Sequence, residues 1–169
     1  MARDHGKLYK ITDGEAYAGD FTARQPLGIS GKSIKQVTSA QVLALFATPI
    51  TLVAAPGAGR FLALEAVMIH LPFNSAAYAG IAAAEDLAVR YTGAAGLIVA
   101  QVEATGFLDA VADATRYATP VAFTAAPTDV TPVLNAPLVL HMTTAEVITG
   151  DSPLNVTTLY REFDTTFQA

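Results

Sequence analysis

The chain has 169 residues, 52% of them hydrophobic and 15% charged, with a formal net charge of −5. A sequence this apolar is not that of a disordered chain, and its acidic balance argues against a protein built to hold nucleic-acid phosphates. Cysteine is absent, which excludes disulfides, zinc–thiolate sites, iron–sulfur clusters and thiol nucleophiles together.

Residues 1–36 hold all four lysines and six bases against four acids, whereas the remainder holds four arginines and eleven acids. The opening segment is rich in glycine and lacks apolar periodicity. It reads as an extended N-terminal arm, followed by one folded domain over 37–169. A mildly basic arm on an acidic body suits contact with an acidic neighbour. The start MARDHGKLYK has no apolar run behind it and is not a secretory signal. The apolar run Phe61 to Leu71 is interrupted by Glu65 and too short to span a bilayer. The expectation is a protein made in a cytoplasm, with no membrane and no nucleic acid among its partners.

Along the body, Ser39 to Phe46 predicts one or two helical turns with Ser39 as N-cap, ended by Thr48-Pro49. Pro49 to Ala54 predicts a strand, Ala55-Pro-Gly-Ala-Gly59 a turn, and Arg60 to Leu71 a long strand, the pair forming a hairpin. The long strand is apolar on both faces, the pattern of a strand covered on both sides. Glu85 to Thr92 and Leu97 to Val102 predict two further strands around Gly93-Ala-Ala-Gly96. Thr105 to Ala118 predicts a helix on a partial apolar stripe. Val121 to Ala125, Leu138 to Thr143 and Leu154 to Phe163 complete the strands. Seven or eight strands separated by Gly, Pro and Thr turns predict an all-β fold, an antiparallel β-sandwich of jelly-roll type. Thirty-three alanines suit closely packed sheets better than a bulky ligand cavity.

No motif in the chain carries chemistry. Ala55 to Arg60 lacks the spacing of a phosphate loop and joins two strands instead of opening a helix. No G-x-S-x-G elbow is present. His70 and His141, the two histidines of the body, have no second histidine two residues away, and nothing ties Glu65 or Glu103 to them as a metal set. They are expected at strand edges or at an interface. Asp109 and Asp113 would share a helix face, with Arg116 neutralising Asp113. Tyr78, in the loop Phe73 to Gly80, is expected at a protein interface before a sugar platform, since the chain has no tryptophan. The expectation is therefore no catalytic residue, no cofactor and no metal. Arg3, Lys7, Lys10, Lys32 and Lys35 are the candidates for electrostatic contact with a partner, and Tyr17 and Phe21 for anchoring.

Four segments, in order, carry a likeness: Thr48-Pro-Ile-Thr-Leu-Val-Ala-Ala-Pro-Gly-Ala-Gly-Arg60 with the strand after it; Ala76-Ala-Tyr-Ala-Gly80; Thr105 to Arg116; and Asn135 to Leu140 with Thr149-Gly-Asp151 and Leu159-Tyr-Arg161. Over about residues 39–163 the chain resembles small β-sandwich virion proteins of tailed bacteriophages, most of all capsid decoration or cement proteins. The resemblance implies a non-enzymatic structural protein on the capsid surface that binds the major capsid protein lattice. It also implies a homo-oligomer, often a trimer. A tail or connector protein, or a carbohydrate-binding receptor tip, is the alternative. No catalytic residue is implied.

Overall fold

The structure, a computed structural model, describes residues 29–120 and 133–165. These form β1 (Ile29–Val37), α1 (Ser39–Leu43), β2 (Ile50–Val53), β3 (Arg60–Leu71), β4 (Asp86–Tyr91), β5 (Ile98–Glu103), β6 (Ala114–Ala118), β7 (Leu138–Met142) and β8 (Leu154–Asp164). Two four-stranded antiparallel sheets pack as a sandwich. The first has the order β1-β8-β3-β6 and the second β2-β7-β4-β5. The pairing is nested: β1 bonds β8, β2 bonds β7, β3 bonds β6 and β4 bonds β5. This is the order left when one long hairpin of strands is folded over itself.

The core lies between the sheets. Leu62, Leu64, Val67, Ile69 and Leu71 from β3, with Leu154 and Val156 from β8, meet Leu87, Val89, Leu138, Leu140 and Met142 from the second sheet. The Tyr91 hydroxyl crosses the gap to donate to the Leu62 carbonyl, tying the sheets together at a buried point. The ring of Tyr160 lies over Gly31, where a Cβ would come within 2.4 Å of it. Glycine is required there by close approach. Tyr78, expected at an interface, is instead a core residue at 2% exposure, with its hydroxyl donating to Ser152 O.

Four further expectations, on the strands and the links between them, are corrected. Residues 29–36, assigned to the arm, belong to β1 and pair with β8 from Ile29↔Glu162 to Val37↔Leu154. Their weak periodicity is that of an edge strand with one solvent-facing side. The turn after β2 is not a hairpin, since β2 and β3 belong to different sheets. Residues 54–59 cross the edge of the sandwich, with Gly57 N–H donating to Asn135 Oδ1. Thr105 to Ala118 is not helical. Gly106 takes a left-handed φ of 73°, adjacent Phe107 and Leu108 both bury completely, and only Ala114–Ala118 at the end forms a strand, β6, on the edge of the first sheet. Tertiary pairing with β3 overrides the weak stripe.

The fourth correction concerns β3. Its registers shift between Leu64 and Ala66. Before that bulge the even residues Leu62 and Leu64 point to the core; after it the odd residues Val67, Ile69 and Leu71 do. One extra residue reverses the side-chain phase. The strand is apolar at odd and even positions because its inward phase switches, and only one of its faces is covered. The N-cap of α1 is Thr38, one residue before the expected Ser39, in a capping box with Gln41. The expected strand Val121 to Ala125 lies outside the described residues.

Candidate functional site

The outer faces of the two sheets differ. On the second sheet, every residue of β7 is buried, including the outward-facing Val139 and His141, and so is Ala88 on β4. On the first sheet, the registers set side chains in rows across all four strands. One row is Gln36, Asn155, His70 and Thr115; the next is Ile34, Thr157, Met68 and Tyr117; then come Lys32, Leu159 and Ala66. Ile34 (67% exposed), Tyr117 (65%), Met68 (42%) and Leu159 (39%) make an apolar belt across the open face.

Polar and charged groups rim the belt. On one side the His70 Nδ1 and Thr115 Oγ1 atoms lie 2.9 Å apart. On the other, Arg161 Nε donates to Glu65 Oε1 at 2.5 Å. Beyond it, Phe61 and Phe163 stack at 5.0 Å between ring centres. An apolar centre of aromatic and methionine side chains with a hydrogen-bonded rim is the make-up of a protein interface. The ion pairs here are partly exposed and add little to stability; they keep carboxylates of the rim neutralised. This belt is the candidate functional site.

Of the residues singled out from sequence, Lys32 stands on this face opposite Leu159, and Lys35 lies on the same strand opposite Val156. Both are exposed. Arg3, Lys7, Lys10, Tyr17 and Phe21 lie outside the described residues. Ile34, Met68, Tyr117 and Leu159 were not found by sequence reasoning. Ile34 had a weak signal, an apolar side chain two residues from both Lys32 and Gln36, hence on the same face as they are if the segment is a strand. Met68 had none, because the bulge at Glu65 moves it from the face of Leu62 and Leu64 to the opposite one.

The acids of the body serve the fold. Asp109 and Asp113 do not act as a pair: Asp109 Oδ1 accepts from Gly106 N and Asp113 Oδ1 from Phe73 N. Arg116 does not neutralise Asp113 but donates to Gly106 O and lies 5.5 Å above the Phe107 ring centre. Asp151 accepts from Ser75 N and Ala76 N and from the side chains of Ser75 and Asn74. The Ser75 hydroxyl, then those backbone donors, hold its carboxyl below the usual range. Glu85, at 1% exposure, accepts from Thr144 N, Ala145 N and Thr143 Oγ1. Carboxylates here clamp loop backbone: Asp109, Asp113 and Asp151 at exposed positions, and Glu85 at part-buried amides that would otherwise go unsatisfied.

Asp86 and Glu103 face each other across β4 and β5. Burial first, then the neighbouring charges of Glu103 and Glu85, push the Asp86 carboxyl up, and Gln101 donates to it. Among the described residues no group of His, Asp and Glu is placed to hold a metal ion, and no helix is long and apolar enough to cross a membrane. No family model, curated protein or solved structure matches the chain.

Proposed function

We propose that the protein is a non-enzymatic structural component of a tailed-phage virion, a decoration or cement protein that binds the major capsid protein lattice from the capsid surface. The observation that carries this reading is the exposed apolar belt of Ile34, Met68, Tyr117 and Leu159 across the open sheet face. A protein that joins shell subunits works through wide, shape-matched contact and needs no reactive group. The nested strand order supports the finer description of the sandwich as a jelly-roll. The likeness of the ordered segments between residues 39 and 163 to small virion proteins supports the class, and with it a homo-oligomer such as a trimer. Lys32, at the margin of the belt, supplies a positive charge toward an acidic neighbour.

The test is co-expression with the major capsid protein encoded in the same genome, followed by sedimentation of the assembled shells. The wild-type chain is expected to sediment with shells at saturating occupancy. Met68→Glu with Tyr117→Glu is expected to leave the chain folded by circular dichroism and free of the shells. Wild-type chain that stays in the supernatant at all concentrations overturns the proposal; equal occupancy of the double variant removes the belt from it.

A further inference from the structure

The outer face of the second sheet holds a buried histidine with an unmet hydrogen-bonding atom. His141 is 3% exposed, and its Nε2 lies 3.0 Å from Phe46 O. A carbonyl only accepts, so Nε2 carries the proton of the neutral ring and Nδ1 is a bare acceptor. That Nδ1 atom is buried without a partner, as is Nε of Arg90. Arg90 lies diagonally across from His141: it pairs with Val139 on β7, two residues before His141, and so shares its face.

Phe46 belongs to the corner that links α1 to β2. Leu45 of this corner is fully buried in the core, and the Phe46–Ala47 stretch after it is held to the outer face at three points. His141 takes the Phe46 carbonyl, the Phe46 ring stands 5.6 Å from the imidazole centre, and the Glu146 carboxylate accepts from Phe46 N at 3.1 Å and Ala47 N at 2.8 Å. Two of the three holds belong to one imidazole.

We propose that His141 is an acid-released latch, whose protonation frees the Phe46–Ala47 stretch from the outer face of the second sheet, while Leu45 stays anchored in the core. A second proton must go on Nδ1. It would place a new donor in a buried position with no acceptor, beside a guanidinium. The ring meets that demand by turning out to water, and in doing so gives up both the Phe46 carbonyl and the Phe46 ring. The charged groups facing His141 are Arg90 from β4, Glu85 just before β4, and Glu146 from the segment after β7. Burial and then Arg90 hold the imidazole below its ordinary value, while the Phe46 carbonyl, Glu85 and Glu146 act the other way. The folded protein therefore keeps the ring neutral at a pH where the unfolded chain is protonated. The stability this supplies is present above about pH 6.5 and is lost as pH falls through the folded value. The inference does not depend on the capsid reading.

Hydrogen exchange on the full chain tests it, with rates corrected for the intrinsic effect of pH. Between about pH 7.5 and about pH 5, the amides of Phe46 and Ala47 are expected to lose protection by roughly tenfold more than those of β7. His141→Gln keeps a donor for the Phe46 carbonyl but does not titrate, and is expected to abolish that difference. The same loss in His141→Gln, or full protection in the wild type down to about pH 4.5, overturns the latch. Should the variant not fold, the imidazole nitrogen shifts of the wild type decide. A His141 titration below the ordinary value with Phe46 amide shifts moving in step supports the latch; a titration at or above the ordinary value overturns it.

Discussion

β7 and β8 occupy equivalent places, each second in its sheet and flanked on both sides. β7 is buried at all five positions, whereas β8 alternates buried and partly exposed residues from Leu154 to Thr158. The sequences differ in the same way: Leu-Val-Leu-His-Met has no polar alternation beyond one histidine, and Leu-Asn-Val-Thr-Thr does. Cover on both faces calls for apolar side chains at every position; cover on one face calls for every second one. The molecule thus has one outer face covered by its own chain along the central strands β4 and β7, with Thr51 and Gln101 exposed on the edge strands, and one open face, available to another.

The sharpest way to break this comparison is to place the same charge at the centre of each face. Ala88→Lys puts an ammonium in a fully buried position between His141 and Gln101 and near Arg90. It is expected to cost about 3 kcal/mol or more in urea unfolding. Thr157→Lys, central on the open face, is expected to change stability by less than ~0.5 kcal/mol. Equal costs would mean that the faces are not differently covered.

Glu85→Gln tests what holds the loop at the closed sheet. The amide turns an NH2 toward donors that the carboxylate now satisfies, and is expected to cost about 2 kcal/mol by the same measurement. Thr158→Val tests the inner side of the open sheet. The Thr158 hydroxyl is buried without a partner, so replacing it with a methyl group is expected to raise stability by about 0.5–1 kcal/mol. The smallest effect on stability belongs to the belt. Ile34→Glu is expected to leave the unfolding midpoint within error, about 0.5 kcal/mol, while weakening whatever association sedimentation velocity detects in the wild type. A large loss of stability there would show that Ile34 supports the fold itself.

Much of the strand layout was legible. The bounds of β3 match the expected Arg60 to Leu71, and β4, β5, β7 and β8 fall within a residue or so of their expected ends. Apolar runs between Gly and Pro turns are local signals, and local signals survive in sequence. β1 was missed because Lys32, Lys35 and Gln36 on an edge strand resemble a solvated tail. β6 was missed because its five residues, Ala-Thr-Arg-Tyr-Ala, are too short and too little apolar to stand out against the partial helical stripe before them, and it forms by pairing with β3. The candidate site was the least legible part. Its four apolar residues come from four strands, and nothing local places Tyr117 beside Met68.

The sequence by itself determined an all-β chain without thiol chemistry, with its longest strand at 60–71. These follow from composition and short-range patterning. Only the tertiary structure decided which of two meanings an unbroken apolar strand carries. In β7 it means cover on both faces; in β3 it means one inserted residue at Glu65, which reverses the inward phase and turns Met68 to solvent. A bulge costs one ladder position and leaves no mark in composition, so long-range pairing with β8 alone reveals it.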